Sequence, residues 1–209
     1  TIGGSPGDNL TPVDAVQFAA AFALFIKDQS NNSNPTVAIG RDARPSGSWL
    51  SNIVVGTLNA SGVNVVDLGL STTPTVEVAV PALHADGGII LTASHNPANW
   101  NALKLLNSKG EFINAEEGGR LLDFAKSGDF TFPEVEATGW YRKDEGWIEK
   151  HVEMILTHPL VNLEAIKTAN FKVAVDPVNS TGGLAIPILL KELGVTNVEM
   201  INGDVSGNF

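Results

Sequence analysis

Apolar and polar positions alternate along the chain in blocks whose period switches between that of a helix and that of a strand. Thr11-Pro12 opens the first block, a predicted helix running to about residue 28, with Pro12 in the first turn where its missing N–H costs nothing. A polar loop at 31–35 leads to a short β-rich run at 36–40. A helix predicted over 47–60, capped by Ser46, and an apolar run at 63–68 then complete one βαβ unit. Further helices at 75–84 and 115–126, with strands at 87–91 and 102–106, extend the same rhythm. The class this predicts is α/β: a mixed, mostly parallel sheet sandwiched by helices.

The rhythm breaks over 127–143, which holds two glycines, Pro133 and few periodic apolar positions. A domain boundary is placed there, giving a first domain over 1–143. An amphipathic helix at 147–156, a strand at 171–175, a helix at 181–193 and a strand at 197–201 start a second βαβ unit. One such unit cannot cover both faces of its own sheet, so 144–209 reads as the first part of a second, similar domain.

The 209 residues are 43% hydrophobic and only 17% charged, enough to bury a real core. The absence of cysteine excludes disulfides, thiolate metal sites and a cysteine nucleophile. A formal net charge of −10 argues against nucleic-acid and anionic-membrane partners, which demand clustered Lys and Arg. It leaves room for a small phosphorylated ligand held by a few local cations. The most hydrophobic long stretch, 13–26, is interrupted by Asp14 and Gln17 and lacks a basic flank and a cleavage site. It reads as a buried helix rather than a signal peptide or membrane span, so a cytoplasmic protein is expected.

The chemistry concentrates where the third predicted strand stops, in Gly87-Gly88-Ile89-Ile90-Leu91-Thr92-Ala93-Ser94-His95-Asn96-Pro97. Ligands of open α/β sheets bind beyond the carboxyl ends of strands, so Ser94 is a candidate nucleophile or phosphoryl carrier. No Gly-x-Ser-x-Gly elbow surrounds it, and His95, adjacent on an extended segment, points to the opposite face. A turn in which these side chains only cap backbone groups is the competing reading.

Gly40-Arg41-Asp42-Ala43-Arg44-Pro45-Ser46-Gly47 also follows a strand and precedes a helix. Arg41, Arg44 and the helix start can hold a phosphate, or the segment is a solvated turn in which Asp42 pairs with Arg44 or Arg41 to orient the loop; for Asp42 the second reading is preferred. In Asn99-Trp100-Asn101-Ala102-Leu103-Lys104-Leu105-Leu106, strand periodicity puts Ala102, Lys104 and Leu106 on one face. Lys104 amid apolar neighbours suits proton transfer with a sugar hydroxyl, or it snorkels from an edge strand. Asp176-Pro177-Val178-Asn179-Ser180-Thr181-Gly182-Gly183 resembles a phosphate or interdomain loop. It matches neither the Walker nor the dinucleotide pattern, and a structural role for Asn179 and Thr181 at the helix start is preferred. His84, His151 and His158 have no metal-ligand spacing and read as surface or packing residues.

Taken together, Thr92-Ala93-Ser94-His95-Asn96-Pro97, Asn101, Lys104 and the earlier Gly40-Arg41-Asp42-Ala43-Arg44 resemble the α-D-phosphohexomutase family, which includes phosphoglucomutase, phosphomannomutase and phosphoglucosamine mutase. The opening Thr1-Ile2-Gly3-Gly4 to Leu10-Thr11-Pro12 is similar to the family's N-terminal loop, and 176–183 to the start of its second domain. The resemblance implies that Ser94 is phosphorylated and exchanges its phosphoryl group with a hexose monophosphate through a hexose bisphosphate. It implies Mg²⁺ bound through the phosphate of Ser94, Lys104 as general acid and base, and His95 in the active site. Arg41 and Arg44 would support the loop, with Asn96 and Asn101 beside them.

Where the family usually has Asn-Gly, Asn101 is followed by Ala102, and the basic residue expected just before Thr1 is missing. The family's Asp-Gly-Asp-x-Asp-Arg metal loop, its Gly-Glu-x-Ser-Gly sugar loop and its C-terminal phosphate-binding domain do not occur. Glu116 and Glu117 lie on a predicted helix and cannot replace the loop aspartates. The expectation is therefore the N-terminal portion of a mutase, inactive alone, with the choice among glucose, mannose and glucosamine phosphates open. A non-catalytic binding or scaffold module and a serine hydrolase are the alternatives.

Overall fold

The computed structural model describes residues 2–5 and 7–209. Thr1, first residue of the expected N-terminal loop, lies outside them. Strands β1 (Ile2–Gly4), β2 (Thr36–Arg41), β3 (Asn64–Leu70), β4 (Gly87–Leu91), β5 (Asn101–Leu106) and β6 (Tyr141–Lys143) form one sheet in the order β1-β5-β4-β2-β3-β6. The pairs β2/β3, β2/β4 and β3/β6 are parallel, whereas β5 runs antiparallel to both β1 and β4. This is the mixed, mostly parallel sheet that the alternating blocks predict.

Helices α1 (Pro12–Gln29), α2 (Gly47–Ala60) and α4 (Ala115–Ser127) cover one face, over a core that includes Phe22, Phe25, Leu50, Val54, Ile89, Leu103, Leu105 and Leu121. Helix α3 (Thr73–Ala82) covers the other, where Val76, Ala79 and Val80 meet Ala38, Val66, Ile90 and Leu106. Burial on both faces explains the near-continuous apolar runs of β2 and β4. Helix α1 starts where Thr11-Pro12 predicts it, with a capping box in which Thr11 and Asp14 bond reciprocally. Ser46 departs from expectation: it holds the N-cap position of α2, but its side chain makes no capping bond.

The second unit comprises β7 (Lys172–Val175) and β8 (Asn197–Met200), a parallel two-stranded sheet, with α7 (Gly182–Glu192) between them. Helix α5 (Trp147–Leu156) stands between the two sheets. Its Trp147 joins the α3 core, while Ile148, Val152 and Ile155 face Ala185, Ile186 and Leu189 of α7. Helix α6 (Leu163–Ala169) buries no side chain. Thr181 makes no side-chain cap at α7; instead Asp176 accepts the Val178 N–H, and Asn179 Nδ2 donates to the Asn208 carbonyl.

Candidate functional site

The site lies at the carboxyl end of β4. The chain leaves that strand at Thr92 and returns antiparallel as β5, so the intervening loop is tethered to the sheet at both ends. Within it Ser94 has φ of 59°, a left-handed conformation that costs a β-carbon-bearing residue about 1 kcal/mol or more. Such a backbone persists only where its surroundings enforce it.

They do so through a buried network. Arg44, with a side chain 0% exposed, donates Nη2 to the carbonyls of Ser94 (2.9 Å) and Asn96 (2.7 Å) and Nη1 to those of Trp100 (2.9 Å) and Pro97. Its Nε donates to Asp42 Oδ2 at 3.0 Å, while Asp42 Oδ1 accepts the Arg44 backbone N–H. The Thr92 hydroxyl donates to Asp42 Oδ2 at 2.6 Å and accepts the Ser94 N–H at 3.1 Å. The ion pair is buried but satisfied at both partners, as a buried pair must be to avoid a large penalty. Asp42 thus has the loop-orienting role preferred from its sequence, but the turn is buried rather than solvated as expected, because the serine loop closes over it. Arg44 differs from the phosphate-holding reading: it has no free N–H for a ligand, because carbonyls and one carboxylate take all five.

Ser94 itself is exposed. It lines a cleft of about 250 Å³ together with Gly3, Gly4, Asn96, Trp100, Asn101, Ala102 and Lys104. Four of the residues singled out from sequence, Ser94, Asn96, Asn101 and Lys104, therefore meet in one cleft. Lys104 does not sit on an edge strand, because β1 flanks β5, and this removes the snorkelling alternative in the form given above. Its Nζ lies 5.8 Å from the Phe112 ring centroid. Asn101 is buried and donates Nδ2 to Ser46 Oγ at 2.9 Å; Ser46 itself has helical φ and ψ of −75° and −12°, not the extended backbone from which a side chain caps a helix. The Asn101-Ala102 step is extended strand rather than a turn. Ala102 faces Gly3 in register, and a β-carbon on Gly3 would fall 2.3 Å from that of Ala102.

Two expected site residues stand apart. His95 is exposed and does not line the cleft. Arg41 lines a different cleft, with Asp67, Lys143 and Glu145, and its Nη1 reaches the Asp42 carbonyl at 3.3 Å. Glu117 is bound in the capping box of α4 with Asn114, consistent with its helical assignment. The residue whose role sequence reasoning missed is Thr92, quoted within the motif but given no function. Its signal was a hydroxyl two positions before the serine, the spacing of a side chain to backbone N–H turn. Among the described residues no histidine or carboxylate hydrogen-bonds to Ser94 Oγ.

Residues 2–131 match the family described as phosphoglucomutase/phosphomannomutase, alpha/beta/alpha domain I. The chain belongs to this family. A phosphoglucomutase/phosphomannomutase of Thermococcus kodakarensis is 34% identical over 206 residues, covering 99% of this chain and 44% of that protein. A phosphoglucosamine/phosphogalactosamine mutase of Sulfurisphaera tokodaii is also 34% identical, over 99% of this chain and 44% of its own length. A crystal structure of a phosphoglucomutase/phosphomannomutase family protein from Burkholderia thailandensis superposes with a TM-score of 0.82 at 28% identity, covering 99% of this chain and 43% of that one. The chain thus spans less than half the length of these relatives, and the similarity runs through both of its units.

Proposed function

We propose that Ser94 is the phosphoryl carrier of a phosphosugar mutase, presented by a first domain that extends to residue 143 and is followed over 144–209 by the start of a second domain. The observation that carries this reading is a serine in a strained left-handed backbone, clamped by Arg44, Asp42 and Thr92, opening on a cleft that also holds Lys104. A carrier serine needs a fixed position more than a base, because phosphoryl transfer depends mainly on alignment and charge stabilisation.

In the proposed step the P–O bond to Ser94 Oγ breaks as the phosphorus bonds to a hydroxyl oxygen of a hexose monophosphate. Lys104, acting as a neutral base, takes the hydroxyl proton, and Ser94 Oγ, released as the P–O bond breaks, takes up a proton from water, leaving a hexose bisphosphate. Reversal with the other phosphate returns a phosphoryl group to Ser94 Oγ, interconverting hexose 1-phosphate and 6-phosphate.

Mg²⁺ would neutralise the transferring group, with the Ser94 phosphate as one ligand. The cleft contains no carboxylate, and among the described residues no group of three or more His, Asp or Glu is placed to hold a metal. These residues alone do not make up a Mg²⁺ site, and no step is derived through one. No described helix is long and apolar enough to cross a membrane.

The test is intact mass and peptide mapping of a chimera in which this chain replaces the matching 206 residues of the Thermococcus kodakarensis relative, incubated with a hexose 1,6-bisphosphate and Mg²⁺. One phosphoryl group on Ser94, absent in Ser94→Ala and acquired more slowly in Lys104→Met, is the expected result. A chimera that stays unmodified under conditions that load the relative itself would overturn the reading.

A further inference from the structure

The Arg44 guanidinium has one kind of contact left. Its five N–H groups lie in a plane and all are committed, to Asp42 Oδ2 and to the carbonyls of Ser94, Asn96, Pro97 and Trp100. A planar cation with its edge saturated can be held further only across its face. Phe209 lies there, with its ring centroid 4.7 Å from Arg44 Cζ.

The segment carrying Phe209 is anchored independently of that ring. Gly207 donates its N–H to the Asn179 carbonyl at 2.9 Å, and Asn179 in turn donates from its backbone to Asn202 and from Nδ2 to Asn208. Gly207 has φ of 75°, and a β-carbon there would fall 2.1 Å from the Ala43 carbonyl oxygen. The tail after β8, the loop after β7 and the Arg41-to-Pro45 loop of the first unit therefore meet at one point, next to the arginine that shapes the serine loop.

We propose that Phe209 is a positioning residue for Ser94. Covering one guanidinium face, it keeps water from Arg44 and holds the cation in the plane where it meets the loop carbonyls. Docking of the second unit is thereby transmitted to the shape of the serine loop. The link to phosphoryl transfer rests on the function proposed above; the link to loop shape does not.

Amide hydrogen exchange in this chain tests it, read at Asn96 and Trp100, whose N–H groups close turns onto Ala93 and Pro97 at 3.1 and 2.9 Å. Phe209→Leu keeps an apolar side chain but removes the π face. Exchange at these two amides is expected to rise about threefold to tenfold while the β4 amides stay unchanged. Phe209→Tyr restores the parent rates, and Gly207→Ala, which displaces the tail, reproduces the Leu effect. Parent rates in both Phe209→Leu and Gly207→Ala, or a Tyr variant no better than Leu, would overturn the inference. Faster exchange in Phe209→Leu, together with a chimera that never accepts a phosphoryl group, supports the coupling and removes only the phosphoserine reading.

Discussion

The Thr92 hydroxyl is committed twice, donating to Asp42 at 2.6 Å and accepting from the Ser94 backbone at 3.1 Å. It therefore links the ion pair that organises the loop to the amide of the serine itself. Thr92→Val keeps the shape and removes both bonds, leaving a buried carboxylate oxygen short of a donor. A loss of about 1–3 kcal/mol is expected in urea unfolding, with slower phosphoryl loading of Ser94. A variant as stable as the parent would show that water replaces the hydroxyl.

Arg44→Lys preserves the charge but offers three donors where five are used, so two of the five acceptors lose their partner. Buried acceptors left unpaired predict a destabilisation of about 2–5 kcal/mol by denaturant titration. If Lys proves nearly neutral, charge rather than fork geometry holds the loop.

Ser94 can be separated into its backbone and its chemistry. Glycine adopts a φ of 59° without the β-carbon penalty, so Ser94→Gly should be more stable than Ser94→Ala by about 1 kcal/mol, while neither takes up phosphate. Equal stability of the two, measured by thermal unfolding, would mean that the left-handed turn is not retained in solution.

Burial holds the His151 imidazole below its ordinary value of 6.5, and its Nδ1 lies 3.1 Å from Thr75 Oγ1, joining α5 to α3. The unfolded chain then binds the proton more readily than the folded one. The stabilising effect of a neutral His151 is complete above pH 6.5 and is lost as pH falls through the lower folded value. His151→Gln should unfold with a flatter dependence between pH 7 and 5 than the parent. The same slope in both proteins would count against it.

Much of the first unit is legible in the residue pattern because its strands are buried on both faces and its helices carry strong start signals. The bounds 87–91 for β4, 47–60 for α2 and 147–156 for α5 coincide with the elements that form. β1, β6 and α6 left no such trace. Ile2–Gly4 is too short to alternate, Tyr141–Lys143 is exposed throughout, and α6 buries no side chain, so tertiary pairing rather than pattern creates them. That Ser94 and Lys104 share a site was implied by the family resemblance alone; periodicity gave Lys104 a strand face but no partner. Loop support by Arg44 was likewise implied by the resemblance, whereas its acceptors, main-chain carbonyls about fifty residues away, are something no side-chain pattern encodes.

The Arg44 clamp grips main chain alone within the serine loop. A carbonyl oxygen presents the same acceptor whatever side chain its residue bears, so the curvature of the loop is set without reference to the side chains it displays. Shape and chemistry are thereby assigned to different atoms of the same residues. The side chains of Asn96 and Trp100, which line the cleft, are therefore free to vary without moving the serine that the arginine positions.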